Sequence, residues 1–492
     1  MKQAKKNTLI FAALILAALL RFLLIPATPL YQDEAVYAEI ITELLHNPLQ
    51  FIPHYLGEPI AWKPPAGFYS YAGVVAVLNA VLPQLPLEYT FRAAPALFTA
   101  ISIFTLYFFL RELFTEREAF YASICFALAN QTLITTNALL LDSALMFFIL
   151  LALLAYVKAL KSRGWLLPAA LFSFLAALTK TYVALLIPIS AFALYYYIDK
   201  RELKERWFLL SLLSVPLAML LYAIAFSFAV AGGLREITSS HLYDAIGRMS
   251  SQNLVQQINA NSADLFKQMF PWSLLAIAGA AFINLRRAED KFACLWAAVS
   301  LIPLANSTGY FWYCLPAVPP LSFLVARSLA KLKPAHSLAA LLILSIFSLL
   351  TCPLFSDALE APFEQMRIGI SLQNKEKVLT LTETGVPTIL FYKFSGENAP
   401  HYSGVKQMVA DPHGLESYTA FKLGDLVFGT YEKNMLSNPT PEYVRALISS
   451  NSPDGVVISH RIYEVYSKKP LEGYLPVFSS EDEEYFVLER VQ

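Results

Sequence analysis

Charge is scarce in this chain. Only 15% of its 492 residues are Asp, Glu, Lys or Arg, and 37 acids cancel 37 bases to a formal net charge of zero. A neutral chain presents no global field to a polyanion, so no nucleic-acid partner is expected. Cysteine is equally sparse. Cys125, Cys294, Cys314 and Cys352 lie in or beside apolar runs without metal-like spacing, and read as small core residues rather than disulfides. A Gly-rich phosphate loop is missing, and the polar tail carries no CxxC and no nucleophile elbow. Internal repeats and low-complexity segments are absent as well.

Apolar residues are what the chain has in abundance. At 57% hydrophobic and 14% aromatic, the composition is that of a polytopic α-helical membrane protein. The run Leu9 to Ile25 is long enough to cross a bilayer core. Lys2, Lys5 and Lys6 before it predict a cytoplasmic N-terminus. A cleaved signal peptide is disfavoured, because Pro26-Ala27-Thr28-Pro29 is a poor cleavage site and further apolar runs follow.

Those runs recur near 91–111, 118–134, 143–159, 165–178, 182–197, 208–231, 271–285, 291–305, 309–328 and 335–353. Basic clusters fall at every second junction: Arg111/Arg117, Lys158/Lys161/Arg163, Lys200/Arg201/Lys204/Arg206, Arg286/Arg287/Lys291 and Arg327/Lys331/Lys333. Those junctions are therefore expected in the cytoplasm. The stretch Gly67 to Leu85 breaks the alternation and is read as an interfacial or re-entrant element, in keeping with Tyr69 and Tyr71. The count is then about eleven spans, and about thirteen at most, in a multi-pass plasma (inner) membrane protein.

A membrane domain is thus expected over 1–354, with a long first external loop over 27–90. Residues 355–492 turn polar, with β-type runs at 387–392 and 455–459 and a helical stretch at 441–448. They read as an extracytoplasmic α/β domain, serving as a lid or an acceptor contact.

This topology gathers the unusual polar residues on the outer side: Asp33, Glu34, Lys63, Arg92, Asp142, Lys180, His241 and Arg248. Charge beside apolar segments is costly and marks candidate chemistry. Asp33 suits a general base whose pKa rises at a low-dielectric boundary, or else a loop acid. Glu34 suits a supporting acid or the cap of the helix that follows. Asp142 caps a span or supplies a second external carboxylate. Lys63, stiffened by Pro64 and Pro65, and Lys180, squeezed between two apolar runs, suit a phosphate, with Arg92 and Arg248 as further cations. A snorkelling anchor is the alternative for Lys180.

The ordered set Asp33-Glu34, Tyr37-Ala38-Glu39, Pro53-His54-Tyr55-Leu56-Gly57, Lys63-Pro64-Pro65-Ala66-Gly67, Arg92, Leu141-Asp142, Leu178-Thr179-Lys180 and Leu315-Pro316 resembles the integral-membrane GT-C glycosyltransferases. The lipid A aminoarabinose transferases and the protein O-mannosyltransferases are the nearest likenesses, over roughly residues 8–330. The resemblance implies a GT-C-like fold and transfer of a sugar from a polyprenyl-phosphate donor to a lipid, glycan or protein acceptor on the extracytoplasmic face. It implies Asp33, Glu34 and Asp142 as catalytic acids and Lys63, Lys180, Arg248 and Arg92 as donor-phosphate ligands. It also implies His241, Tyr310 and Tyr313 as substrate contacts.

This sequence departs from the aminoarabinose pattern in places. Trp62 stands where that family has Glu before the lysine, and that glutamate and a histidine matching His241 look like a metal pair there. No cofactor is firmly implied, and a divalent metal remains an open expectation. Thr181 replaces a usual Gly after Lys180. Two rival classes are weighed. A membrane-embedded glycan polymerase or ligase shares the substrates, but would favour Arg-rich external loops. A flippase or transporter would show repeated halves or mid-span charges.

Overall fold

The computed structural model describes residues 2–25, 33–55, 58–230, 232–235, 254–303, 311–352, 378–382, 431–435, 440–453, 455–479 and 485–491. The chain divides into two compact units. The first comprises residues 1–26, 47–53 and 59–356, and the second residues 27–46, 54–58 and 357–492. Helices α1 (Lys2–Leu23), α2 (Asp33–His46), α3 (Ala66–Val81), α4 (Leu87–Leu113), α5 (Glu116–Leu128), α6 (Asn130–Thr136), α7 (Asp142–Ala159), α8 (Leu166–Ala177), α9 (Leu186–Ile198), α10 (Arg206–Leu212) and α11 (Ser214–Ala229) follow in chain order.

The first unit is helical throughout its long elements. Among the described residues, three helices are long and apolar enough to cross a membrane: Tyr89–Leu113, Asp142–Ala159 and Trp312–Ala330. The bent pair α10 and α11, at 44°, makes a fourth if it counts as one span. Other apolar stretches form shorter helices, at Asn7–Leu23, Ala66–Val81, Arg163–Ala177, Tyr182–Ile198 and Pro334–Leu350. Hydropathy alone sees continuous runs, whereas the backbone breaks them: 3₁₀ turns at Arg163–Trp165 and Tyr182–Leu185 lead into α8 and α9.

Packing within this unit relies on small residues, as expected where lipid supplies no hydrophobic drive. Ala93, Ala94 and Ala96 of α4 and Ala144, Ala152 and Ala155 of α7 are buried, and the two helices pack against each other. Gly279 lies so close to the Leu324 carbonyl that no β-carbon would fit. That brings the helices Trp272–Ala280 and Val318–Ala330 into near backbone contact.

A buried ion cluster ties three helices together. Arg327 donates to Glu118 Oε1 at 2.8 Å and to Asp290. Glu118 also completes a capping box at the start of α5, accepting from Thr115 N–H at 3.0 Å and Thr115 Oγ1 at 2.7 Å. The sequence reading used Arg327 only as part of a basic cluster marking a cytoplasmic junction. Its guanidinium is instead sequestered, because two carboxylates compensate it.

In the second unit a five-stranded sheet has the order β4-β3-β5-β7-β6, with β3 at Val378–Thr382, β4 at Tyr431–Met435, β5 at Gly455–Ser459, β6 at Tyr474–Ser479 and β7 at Tyr485–Arg490. A two-stranded pair, β1 (His54–Tyr55) and β2 (Glu58–Pro59), precedes it in the chain. β3 runs parallel to β4 and β5, while β7 runs antiparallel to β5 and β6. Val444 and Ile448 of the helix Pro441–Asn451 and Ile462 and Tyr466 of the helix His460–Ser467 share a core with Val456, Ile458 and Leu488. The tail therefore mixes strands and helices, and the strand read at 455–459 is β5. The run at 387–392 lies outside the described residues.

α2 also groups with this second unit, although the sequence reading kept all of 27–90 with the membrane domain. Tyr37, Ala38, Ile40, Ile41 and Leu44 form its buried stripe, the spacing of an amphipathic helix rather than of a loop.

Candidate functional site

Asp142 and Lys180 form a buried ion pair in the first unit. Asp142 is the first residue of α7, where the N-terminal end of the helix dipole favours its negative charge. Lys180 lies in the short turn between α8 and the Tyr182–Leu185 3₁₀ turn. Its Nζ donates to Asp142 Oδ1 at 2.9 Å and Oδ2 at 3.1 Å, and both side chains are about 95% shielded, at 5% and 6% exposure. Tyr313, from the 3₁₀ turn Phe311–Ala317, sets its ring centroid 4.1 Å from the same ammonium. Lys180 is therefore no snorkelling anchor. Removing one member of such a pair costs about 3–5 kcal/mol, because the other is left as an uncompensated buried charge.

α3 braces both halves of the pair. Pro64 and Pro65 stop any helix before it and Ala66 starts it, with the Ala66 N–H donating to Leu178 O at 2.8 Å. Gly67 follows, and a β-carbon there would stand 2.8 Å from Thr179 Cγ2 and 3.0 Å from Leu141 Cδ2. One turn on, the fully buried Tyr71 hydroxyl donates to Leu140 O at 2.7 Å and accepts from Ala144 N–H at 3.2 Å. Leu141 provides no side-chain cap for α7, so the tyrosine hydroxyl satisfies one of its orphan N–H groups.

Lys63 is half-buried, with its Nζ 5.7 Å from the Trp62 ring centroid. The loop that carries it is pinned from α11, where Tyr222 donates its hydroxyl proton toward Ile60 O at 3.1 Å and Lys63 O at 3.2 Å. Arg92 is buried in the first turns of α4. Between the helices Leu254–Gln268, Trp272–Ala280 and Val318–Ala330 lies an apolar cavity of about 310 Å³, lined by Leu265, Met269, Ala276, Leu321 and Leu324. Leu321 comes two turns of chain after Tyr313.

The structure thus joins Asp142, Lys180 and Tyr313, and links the Lys63 motif to them through α3. Asp33 and Glu34 form the first turn of α2 in the second unit. His241, Arg248 and Tyr310 lie outside the described residues. Sequence reasoning missed Gly67, Tyr71 and Thr179 as site-builders. The signal was present in the four-residue spacing of Gly67 and Tyr71, which puts them on one helix face. For a metal, Trp62 offers no ligand, and no group of three or more His, Cys, Asp or Glu among the described residues could hold one.

The fold around this site is that of the GT-C membrane glycosyltransferases. Residues 63–231 match the family model described as dolichyl-phosphate-mannose-protein mannosyltransferase, a segment that contains Lys63, Asp142 and Lys180. The solved structure of ArnT from Cupriavidus metallidurans bound to undecaprenyl phosphate is similar, with a TM-score of 0.64 at 15% identity over 98% of both chains. The apo form of that protein gives 0.60 at the same identity, covering 99% of this chain and 98% of its own. The archaeal oligosaccharyltransferase AglB from Archaeoglobus fulgidus, in complex with an inhibitory peptide and a dolichol-phosphate, gives 0.53 at 12% identity over 98% of this chain and 74% of its own. No curated protein sequence matches the chain. The likeness read from the motifs is thus matched by a family model over part of the chain and by fold over nearly all of it.

Proposed function

We propose that this chain is an integral-membrane glycosyltransferase that moves a sugar from a polyprenyl-phosphate donor to a lipid, glycan or protein acceptor on the extracytoplasmic face. The observation that carries the reading is the buried Asp142–Lys180 pair within the segment matched by the mannosyltransferase model. The undecaprenyl phosphate in the similar ArnT structure supports a lipid-phosphate donor. The apolar cavity lined by Leu265, Met269, Leu321 and Leu324 supports it too, because it suits a hydrocarbon chain better than a nucleotide.

In this reading an acceptor oxygen or nitrogen attacks the anomeric carbon in line. Its proton passes to Asp33, the bond to the phosphate oxygen breaks, and polyprenyl phosphate leaves with the electron pair, inverting the configuration. Lys63, Arg92 and Arg248 stabilise the charge that grows on the leaving phosphate. Lys180 bonds both oxygens of Asp142 and lies against Tyr313, so its part is to hold that carboxylate in place. Glu34 supports Asp33, and His241, Tyr310 and Tyr313 contact the substrates. The enzyme sits in the plasma (inner) membrane with a cytoplasmic N-terminus and an extracytoplasmic second unit.

Transfer of label from radiolabelled polyprenyl-phosphate sugars tests this. Wild-type protein is expected to transfer, and Asp33→Asn and Lys63→Ala to fall by about a hundredfold or more. Full activity in both variants would overturn the site assignment. Mass spectrometry of envelope lipids and glycoproteins after gene deletion identifies the acceptor.

A further inference from the structure

We propose that Gly67 and Tyr71, four residues apart on the inner face of α3, are positioning residues that set the geometry of the Asp142–Lys180 pair. This rests on the proposed transferase reading only for its kinetic readout. Asp142 and Lys180 begin and follow different helices, and nothing in α7 or α8 alone fixes their mutual distance. The first turns of α3 fill the space between their backbones. On one side the Tyr71 hydroxyl holds Leu140 O and Ala144 N–H, which bracket Asp142. On the other side the Ala66 N–H holds Leu178 O, two residues before Lys180.

Gly67 sets how near the two sides come. The atoms a β-carbon would meet belong to Leu141 and Thr179, the residues that immediately precede Asp142 and Lys180. The Leu141 contact is the end of a flexible side chain and yields easily. Thr179 does not, because it is β-branched and its Oγ1 donates to Leu175 O at 2.8 Å, so turning the methyl away breaks that bond. A methyl added at position 67 therefore pushes the Thr179 backbone, and Lys180 with it. Displacements of this size at a reacting centre lower turnover by about tenfold to a hundredfold.

The geometry makes a specific rescue available. Thr179→Ser deletes Cγ2 but keeps the hydroxyl that bonds Leu175 O. Full-length protein in lipid nanodiscs is assayed for kcat and KM with a polyprenyl-phosphate sugar. It is also assayed, without any substrate, for acylation of Lys180 by a membrane-permeant amine reagent read by peptide mass spectrometry. Gly67→Ala is expected to lower kcat about tenfold or more with KM changed less than about twofold, and to make Lys180 reactive. The Gly67→Ala/Thr179→Ser double variant is expected to recover turnover and Lys180 protection.

Tyr71→Phe is expected to lower the thermal midpoint, because Leu140 O and Ala144 N–H lose their partner, and also to lower kcat when assayed well below that midpoint, where the protein is folded. Wild-type kcat and a protected Lys180 in Gly67→Ala would overturn the proposal, as would defects that Thr179→Ser does not relieve. A Tyr71→Phe protein that melts earlier yet turns over normally when folded would do the same. If the wild type transfers no sugar from any polyprenyl phosphate, the functional reading fails, while the labelling arm still decides the positioning role.

Discussion

Lys180 holds its ammonium 4.1 Å from the Tyr313 ring centroid and 2.9 Å from Asp142 Oδ1, so one buried cation is shared between a carboxylate and an aromatic face. A cation over a desolvated ring is worth about 2 kcal/mol. Tyr313→Phe keeps the ring and is expected to keep the contact between the ammonium and the aromatic face. Tyr313→Leu removes the ring and is expected to cost about 1–2 kcal/mol, read as a lowered midpoint by differential scanning fluorimetry.

Asp142→Asn and Lys180→Met are each expected to destabilise by about 3–5 kcal/mol, since each removes the counter-charge of a buried group. The double variant is expected to lose much less than the sum, because it leaves neither charge behind. Unfolding of all four proteins in matched detergent completes the cycle. Additive losses would show that the pair contributes little beyond its separate members.

Arg21 presents the opposite situation. It is fully buried in α1, and none of Nε, Nη1 or Nη2 has a hydrogen-bond partner among the described residues. Asn137 Nδ2 donates to Leu24 O at 2.6 Å, just past the end of α1. Arg21→Met keeps the stem and removes the charge, and is expected to raise the thermal midpoint. Measured alongside transfer activity, a more stable but inactive variant would mark Arg21 as a residue kept for its chemistry.

pH enters most clearly in the second unit. Glu442, in the first turn of the helix Pro441–Asn451, is held below the usual carboxylate range by its own backbone N–H and then by Lys469, whose Nζ lies 3.3 Å from Oε1. A carboxylate with a lowered folded-state pKa adds stability above its unfolded-state pKa and loses it as pH falls through the folded value. Both groups are exposed, so the effect is small. Amide protection factors in this helix, taken relative to intrinsic exchange at each pH, are expected to fall between about pH 5 and about pH 3, and Glu442→Gln to remove that step.

Much of the first unit could be read from apolar runs, and Asp142 and Lys180 stood out as charges bordering them. Their pairing could not, since 38 residues separate them and hydropathy carries no information on which charge meets which. Tyr71 shows the same limit. An aromatic in an apolar stretch reads as an interface anchor, and only the tertiary structure reveals that its hydroxyl caps another helix. Arg327 looked like a topological signpost because local sequence does not show distant carboxylates. Asp33 and Glu34 were legible as the start of α2, but not their membership of a unit built mostly from residues beyond 356.

The Glu118–Arg327 bond also has a history in time. Its two ends are 209 residues apart, so a ribosome adding about 5–20 residues per second makes the arginine about 10–40 s after the glutamate. Throughout that interval Glu118 has its cap at Thr115 but no cation. The seam between α5 and the helix Val318–Ala330 therefore closes late in biogenesis, and chains truncated before Val318 are expected to leave the insertion machinery with an open, degradable bundle.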